Sequence, residues 1–590
     1  MSRLVDYYEE ELNYLIDAGR EFARTHPERA QFLTPDNPRA RDPHVERLLE
    51  AFAFLAGRIR MRLDDDFPEL TRSLLGLAWP HYLRPIPAMA TLEMTPKEGM
   101  IKEPTRVPKG SLIDSDPVGP GRACRFRTAF DADLLPLSVE RAEIEATPTG
   151  DGLLRVRFRA HKGTDPSALS PLRLRLHLAG EPAITYELYR LLTSSVRQAS
   201  VAFTTPDGRA VRRLLATDAI VPAGLDVEEN VLPADDRSFP GFRLLQEYFL
   251  FPEKYLYLDV ALGRALGDAA GAAGFDVEFA LAEAAPKGLR PAATNFRLSC
   301  TPVLNLFERD AEPIRLTHRA TEYRVIADFS RPDEFEVYEV LAVESIARAS
   351  RRKIVYRPFY AFHHLPTDAG EPAPFYVETA RPSQTREGWD TFLSFVPATT
   401  GRLPEVESVS CRLRCTNGLL AKDLHIGQVR HAVEGFPDAV QARNITAPTR
   451  PVWPDAGGEV LWRLIAHLGF NLVSLRDAAT FRGLLSLYGE MGERAVADAN
   501  RRRIAGIHDV RLEPATTMHR GTVIRGTEMT VALQEEHFAD RGDIRLFAAT
   551  LSGFLGLYAS INSFVRLVVV GQPSGTKIAC PPRFSARQSL

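Results

Sequence analysis

The sequence predicts a multidomain α+β protein with a helical N-terminal region, a β-rich middle and an α+β C-terminal domain. Three observations predict it. Apolar residues recur at three- and four-residue intervals as far as Leu77, alternation of period two becomes common beyond Gly121, and both periods occur after Thr446. At 590 residues the chain exceeds one ordinary core, since domains average about 100–200 residues. The breaks in pattern suggest segments 1–95 (helical), 96–300 and 301–447 (two β-rich domains) and 448–590 (α+β).

Residues 3–25 carry Leu4, Tyr8, Leu12, Leu15 and Phe22 on one helical face, with Pro27 just beyond the end. A second helix begins at Asp42, whose carboxylate suits the free amides of a helix start, and Pro43 fits a first position that has no amide hydrogen to leave unsatisfied. Its apolar stripe is Val45, Leu48, Leu49, Phe52, Leu55, Ala56, Ile59 and Leu63, which has to be buried against something. Leu48, Phe52, Leu55, Ile59 and Leu63 are therefore candidates for either a core or a subunit interface. Periodicity does not choose between burial within the chain and burial between chains. Asp64–Asp66 and Pro68 end this helix, Leu70, Leu74, Leu75 and Leu77 make a shorter apolar face, and Pro80 closes the region.

The Pro- and Gly-rich stretch 96–121 is a boundary or long loop. Half-buried strands are predicted at LLRVRFRA from Leu153, LRLRLHLAG from Leu172, YLYLDVAL from Tyr255, FDVEFAL from Phe275, FEVYEVLAV from Phe335 and SCRLRCTNG from Ser410, the last entering an Asn-Gly turn. Turn-rich joins fall at Val221–Pro240, Ala285–Pro291, Asp368–Pro374 and, most clearly, from Thr446. The last segment reads as a helix through Leu461, Leu464, Ile465, Leu468, Leu472 and Leu475, then strands IHDVRLEP and TEMTVAL. A helix carrying Leu546, Leu551, Phe554, Leu555, Tyr558 and Ile561 follows, and then the strand VRLVVV. No repeat of 20–50 residues suggests a solenoid.

Composition excludes several classes. A content of 45% hydrophobic and 25% charged residues fits a globular chain, and a net charge of -3 gives no whole-chain preference for nucleic acid or anionic lipid. Five cysteines favour free thiols in a reducing compartment over a disulfide framework. The N-terminus carries acids every few residues where a signal peptide would be apolar, and no stretch approaches the roughly 18 uninterrupted apolar residues of a membrane span, so a cytoplasmic location without membrane insertion is expected.

Chemical motifs are sparse. Adjacent His363 and His364 would point to opposite faces of a strand, and Cys411 and Cys415 lack the second pair that structural zinc needs. GQPSGTK from Gly571 has the wrong spacing for a phosphate loop and reads as a turn. Asp64–Asp66 reads as a solvated helix end, and Asn444-Ile445-Thr446 is a sequon without consequence in the cytoplasm. The rows Arg155, Arg157, Arg159 and Arg173, Arg175, His177 read as solvated strand faces or protein contacts. No HExxH, GxSxG or GxGxxG motif occurs, so no catalytic, cofactor or metal site is expected.

The run DPHVERLLEAFAFLAGRIRMRLDDDFPELT with PHYLRPIPAM resembles the N-terminal signature of TssF (VasA, ImpG), a type VI secretion system baseplate family. The opening YYEEELNYLIDAGREFARTHPERA, LWRLIAHLGFNLVSLRD from Leu461 and LFAATLSGFLGLYASINSFVRL from Leu546 resemble it too, in the expected order. The resemblance implies a non-enzymatic wedge subunit in a membrane-docked apparatus. Its partners would be TssG, a second copy of TssF, TssK, TssE and the VgrG hub, and helices of several subunits would share a bundle by analogy with contractile-tail phage baseplates. A β-rich hydrolase or carbohydrate-active enzyme, or a ligand-binding β-sandwich, is the alternative.

Overall fold

The computed structural model describes residues 2–584 apart from 27, 29–42, 65–73, 78, 120–121, 149, 171, 234–237, 348–350, 352, 360–373, 397–405, 455–463 and 466–471. Two compact bodies are present, Met1–Leu83 with Asp455–Gly469, and Arg84–Pro454 with Phe470–Leu590.

In the first body, α1 spans Ser2–Thr25 and α2 spans Pro43–Asp64, both where the three- and four-residue spacing predicts them. Of the shorter predicted helix, 74–77 is helical, while Leu70, Pro68, Asp65 and Asp66 lie outside the described residues. Pro80 opens a 3-10 turn, Pro80–Leu83.

The second body is built on mainly antiparallel sheets. A six-stranded sheet runs Val429–Glu434, Leu112–Ser115, Arg125–Thr128, Cys300–Leu304, Met89–Pro96, Val440–Asn444. Its strands come from segments far apart in the sequence. Met89–Pro96 pairs with Cys300–Leu304 on one side and Val440–Asn444 on the other, so residues assigned to three segments share one ladder. Local alternation reveals a strand and cannot reveal which distant strand completes it. Glu93, buried in this sheet, accepts hydrogen bonds from Arg297 at 3.0 Å and from Arg443 at 3.0 and 3.1 Å.

The strands predicted from alternation appear as Gly152–Ala160, Leu172–Leu178, Tyr257–Gly263, Gly274–Leu281, Glu336–Ala347 and Glu407–Thr416. Asn417-Gly418 makes no hairpin. Gly418 takes a positive φ and starts a 3-10 turn, Gly418–Asp423.

Four further helices of this body lie outside the sequence expectations. The segment α3 (Pro182–Arg190) is extended by a π turn, Leu191–Ser195. Next, α4 (Gly241–Leu250) is buried at every position but the last, so its polar Arg243, Gln246 and Glu247 are interior along with its apolar residues. The helices α5 (Ala478–Gly489) and α6 (Arg494–Ala505) follow the predicted Leu461–Leu475 helix. Of that helix only Leu464 and Ile465 are described as α-helical. Leu472–Arg476 is a 3-10 turn, and the rest lies outside the described residues.

The final helix, α7 (Arg541–Gly556), stops before Tyr558 and Ile561. It crosses between Thr522–Gln534 and Phe564–Gln572, which pair in parallel, and a parallel pair requires such a crossover over the sheet. Its burial follows from that topology. Phe554 and Tyr558 meet Phe239, Phe242 stacks on Tyr488 at 5.5 Å, and α4, α5 and α7 thereby share one aromatic core.

Candidate assembly interface

The two faces of α2 differ in side-chain size. Ala53 and Gly57, one turn apart, are buried, and Leu49 and Ala56 beside them are half-buried. A Cβ on Gly57 would lie 3.1 Å from the Tyr7 carbonyl and the Tyr8 amide, so the absence of a side chain lets α2 approach the α1 backbone. Arg60 of α2 donates to Glu11 of α1 at 2.7 Å. Small residues therefore make the contact with α1.

The large apolar residues face elsewhere. Leu48 is 69% exposed, Phe52 58%, Leu55 55% and Ile59 54%. Their spacing of four, three and four residues puts them on one stripe. Among the described residues, the small-residue edge of α2, and not the bulky one, packs on α1. The Leu63 side chain lies outside the described residues. At half to two-thirds exposure the four side chains present on the order of 400 Å² of apolar surface, as large as the biggest patch on a typical monomer.

Elsewhere the residues singled out by sequence serve the fold. Arg155 pairs with Glu278, Arg157 with Asp276, and both Arg173 and Arg175 with buried Asp259, so four of the six residues in the basic rows are matched by acids on neighbouring strands. Cys411 and Cys415 are interior, and burial pushes both thiols up to about 12. Asn444 of the sequon is fully buried. Its side chain donates to the His425 and Thr446 carbonyls and accepts from the Val429 amide. GQPSGTK is the turn between Phe564–Gln572 and Lys577–Ala579. His363 and His364 lie outside the described residues. Among the described residues no three His, Cys, Asp or Glu side chains converge as a metal site, and no helix is long and apolar enough to cross a membrane.

Sequence reasoning missed the buried polar groups. Lys254 and Glu247 form an ion pair with both side chains fully enclosed, and the carboxylate also accepts from the Val231 and Leu232 amides at 2.9 and 2.8 Å. Burial lowers the Lys254 ammonium and Glu247 opposes that shift. Glu336 accepts from the Trp389 amide at 2.6 Å and the Trp453 indole at 2.7 Å, and Gly388, at φ +135, leaves room for its carboxylate. Nothing in the local pattern marks these residues, since their partners are up to 117 positions away.

Basic rows largely paired within the chain and an outward stripe of large apolar residues on α2 are features found in components of larger assemblies. The chain belongs to the TssF family of type VI secretion system baseplate components. The family model described as "Type VI secretion system, TssF" matches residues 1–587. The chain is 32% identical to type VI secretion system component TssF1 of Pseudomonas aeruginosa over 607 aligned positions, covering 96% of each. Its fold resembles a chain in the cryo-electron microscopy structure of the TssK-TssF-TssG baseplate subcomplex, with TM-score 0.74, 32% identity, and 92% and 99% of the two chains covered. It also resembles a chain of the type VI secretion system baseplate complex, with TM-score 0.60, 26% identity, and 99% and 100% covered.

Proposed function

We propose that this chain is a non-enzymatic wedge subunit that assembles with TssG, TssK and a second copy of itself, and through the wedge with TssE and the VgrG hub, to support tube and sheath growth. The observation that carries the reading is the outward stripe Leu48, Phe52, Leu55 and Ile59 on a chain related along its length to TssF. Helix α2 uses its Ala53–Gly57 edge on α1 and keeps the bulky stripe for a neighbouring helix, which suits a bundle shared between subunits. Burial of that stripe supplies affinity without any reaction at this chain. Mechanical work then comes from repacking of interfaces as the assembly changes state.

Co-expression with TssG and TssK of the same system tests the proposal. A complex that survives size-exclusion chromatography is expected. A monodisperse chain that retains neither partner overturns it.

A further inference from the structure

Away from the N-terminal helices, a cleft of about 630 Å³ opens in the second body between the π turn after α3 and the start of α7 with the turn at Gly571–Lys577. That is the size range of sites that enclose a small ligand or a peptide side-chain cluster. Four cations line it, Arg190, Arg541, Arg545 and Lys577, against the carboxylates of Glu283 and Glu535. Arg190 is committed, donating to Glu187 at 2.9 Å and to Glu283 at 2.7 Å. Glu535 accepts from Ser574. The other three cations form no ion pair among the described residues.

Arg545 is the telling group. It is 8% exposed, yet its hydrogen bonds go to neutral groups, to Thr193 from Nε to Oγ1 at 3.1 Å and from Nη2 to the carbonyl at 3.0 Å, and to the Cys580 side chain. Cys580, a neutral thiol, is its other neighbour in the wall. A guanidinium brought into the interior without a counter-charge is costly, and the fully enclosed Lys254 has Glu247 opposite it, as the part-buried Arg503 has Asp543. The π turn that presents the Thr193 carbonyl to Arg545 is itself a departure from helix geometry of a kind concentrated at functional sites. Exposed Arg541 and Lys577 stand at the mouth, and Ile544, Ile578, Ala579 and Pro581 provide apolar walls.

We infer that this cleft binds an acidic peptide segment of a partner protein, a carboxylate reaching Arg545 while Arg541 and Lys577 hold flanking acids. Four cations against two carboxylates leave the wall positive and complementary to Asp and Glu side chains, and the apolar walls suit the aliphatic parts of a chain more than a fully hydrated inorganic ion.

Fluorescence anisotropy of a labelled (Glu-Ala)₄ peptide with the full-length chain tests this. Saturable binding is expected, weakened at least about tenfold in Arg541→Glu/Lys577→Glu, whose two sites are exposed and leave the fold intact. The same charge change at Lys97→Glu/Lys353→Glu, exposed residues that do not line the cleft, is expected to leave the affinity within about twofold, since separated surface charges are largely screened. A (Gln-Ala)₄ peptide is expected not to bind. Equal binding by the Arg541/Lys577 variant, equal loss in the Lys97/Lys353 control, or equal binding of the neutral peptide overturns the inference. Inorganic phosphate that displaces the peptide at a lower concentration than acetate assigns the cleft to a phosphate group and overturns it too. None of these outcomes bears on the N-terminal helix stripe.

Discussion

Replacing Phe52 or Leu55 with Asp separates a core role from an interface role. In a core, a buried carboxylate costs several kcal/mol and the chain does not fold. Here both side chains are more than half exposed. Folding should change by only about 0.5–1 kcal/mol, from helix propensity and lost partial contact. Association should change far more. Each apolar side chain contributes about 1.5–3 kcal/mol when fully buried, the pair already has under half of that in the free chain, and burying a carboxylate against a partner adds a few kcal/mol. A net loss of about 4–6 kcal/mol for Phe52→Asp/Leu55→Asp corresponds to roughly a 10³- to 10⁴-fold weaker complex. Circular dichroism melting of the free chain and analytical ultracentrifugation of the chain with TssG read the two quantities separately. An unfolded double variant would place the stripe in the core of its own chain. A folded variant that associates as tightly as the wild type would remove the stripe from the interface. Either result refutes the reasoning.

Two further outcomes are expected. Gly57→Val puts a branched side chain where a Cβ already meets the Tyr7 carbonyl at 3.1 Å, so α1 and α2 must separate. Overpacking of this kind costs about 1–3 kcal/mol, whereas Gly57→Ala should cost less, and thermal melts with limited proteolysis of the N-terminal region check both. His177 is buried with an unpartnered Nδ1 beside Tyr257, and burial pulls its imidazole from an ordinary 6.5 down to about 3. Below pH 6.5 the unfolded chain takes up a proton that the folded chain refuses until about pH 3. The stability that depends on neutral His177 is therefore complete above 6.5 and is lost at about 1.4 kcal/mol per pH unit as the pH falls, roughly 2 kcal/mol by pH 5. Urea titrations at pH 7 and pH 5 should show a smaller difference for His177→Phe than for the wild type. Equal differences would exclude His177 as the source.

The sequence by itself determined the kinds of element and their order. Period two marks Gly152–Ala160 and Leu172–Leu178 because a strand with one wet face must alternate, and three- and four-residue spacing marks α1 and α2 because a helix with one covered face must repeat that way. It also carried the family signatures, which lie in contiguous runs. That the polar face of α4 is also interior was not legible, because the helices that pack on it, α5 and α7, are distant in sequence. The cleft around Arg545 was equally illegible, because its walls come from residues 190–195, 283, 535–545 and 571–581 and meet only after folding. Tertiary structure alone decided which edge of α2 is used within the chain. The stripe of large residues looked from its spacing like the surface to be buried, yet helix–helix approach is governed by backbone proximity, and Ala53 and Gly57 allow a closeness to α1 that Phe52 and Leu55 would prevent.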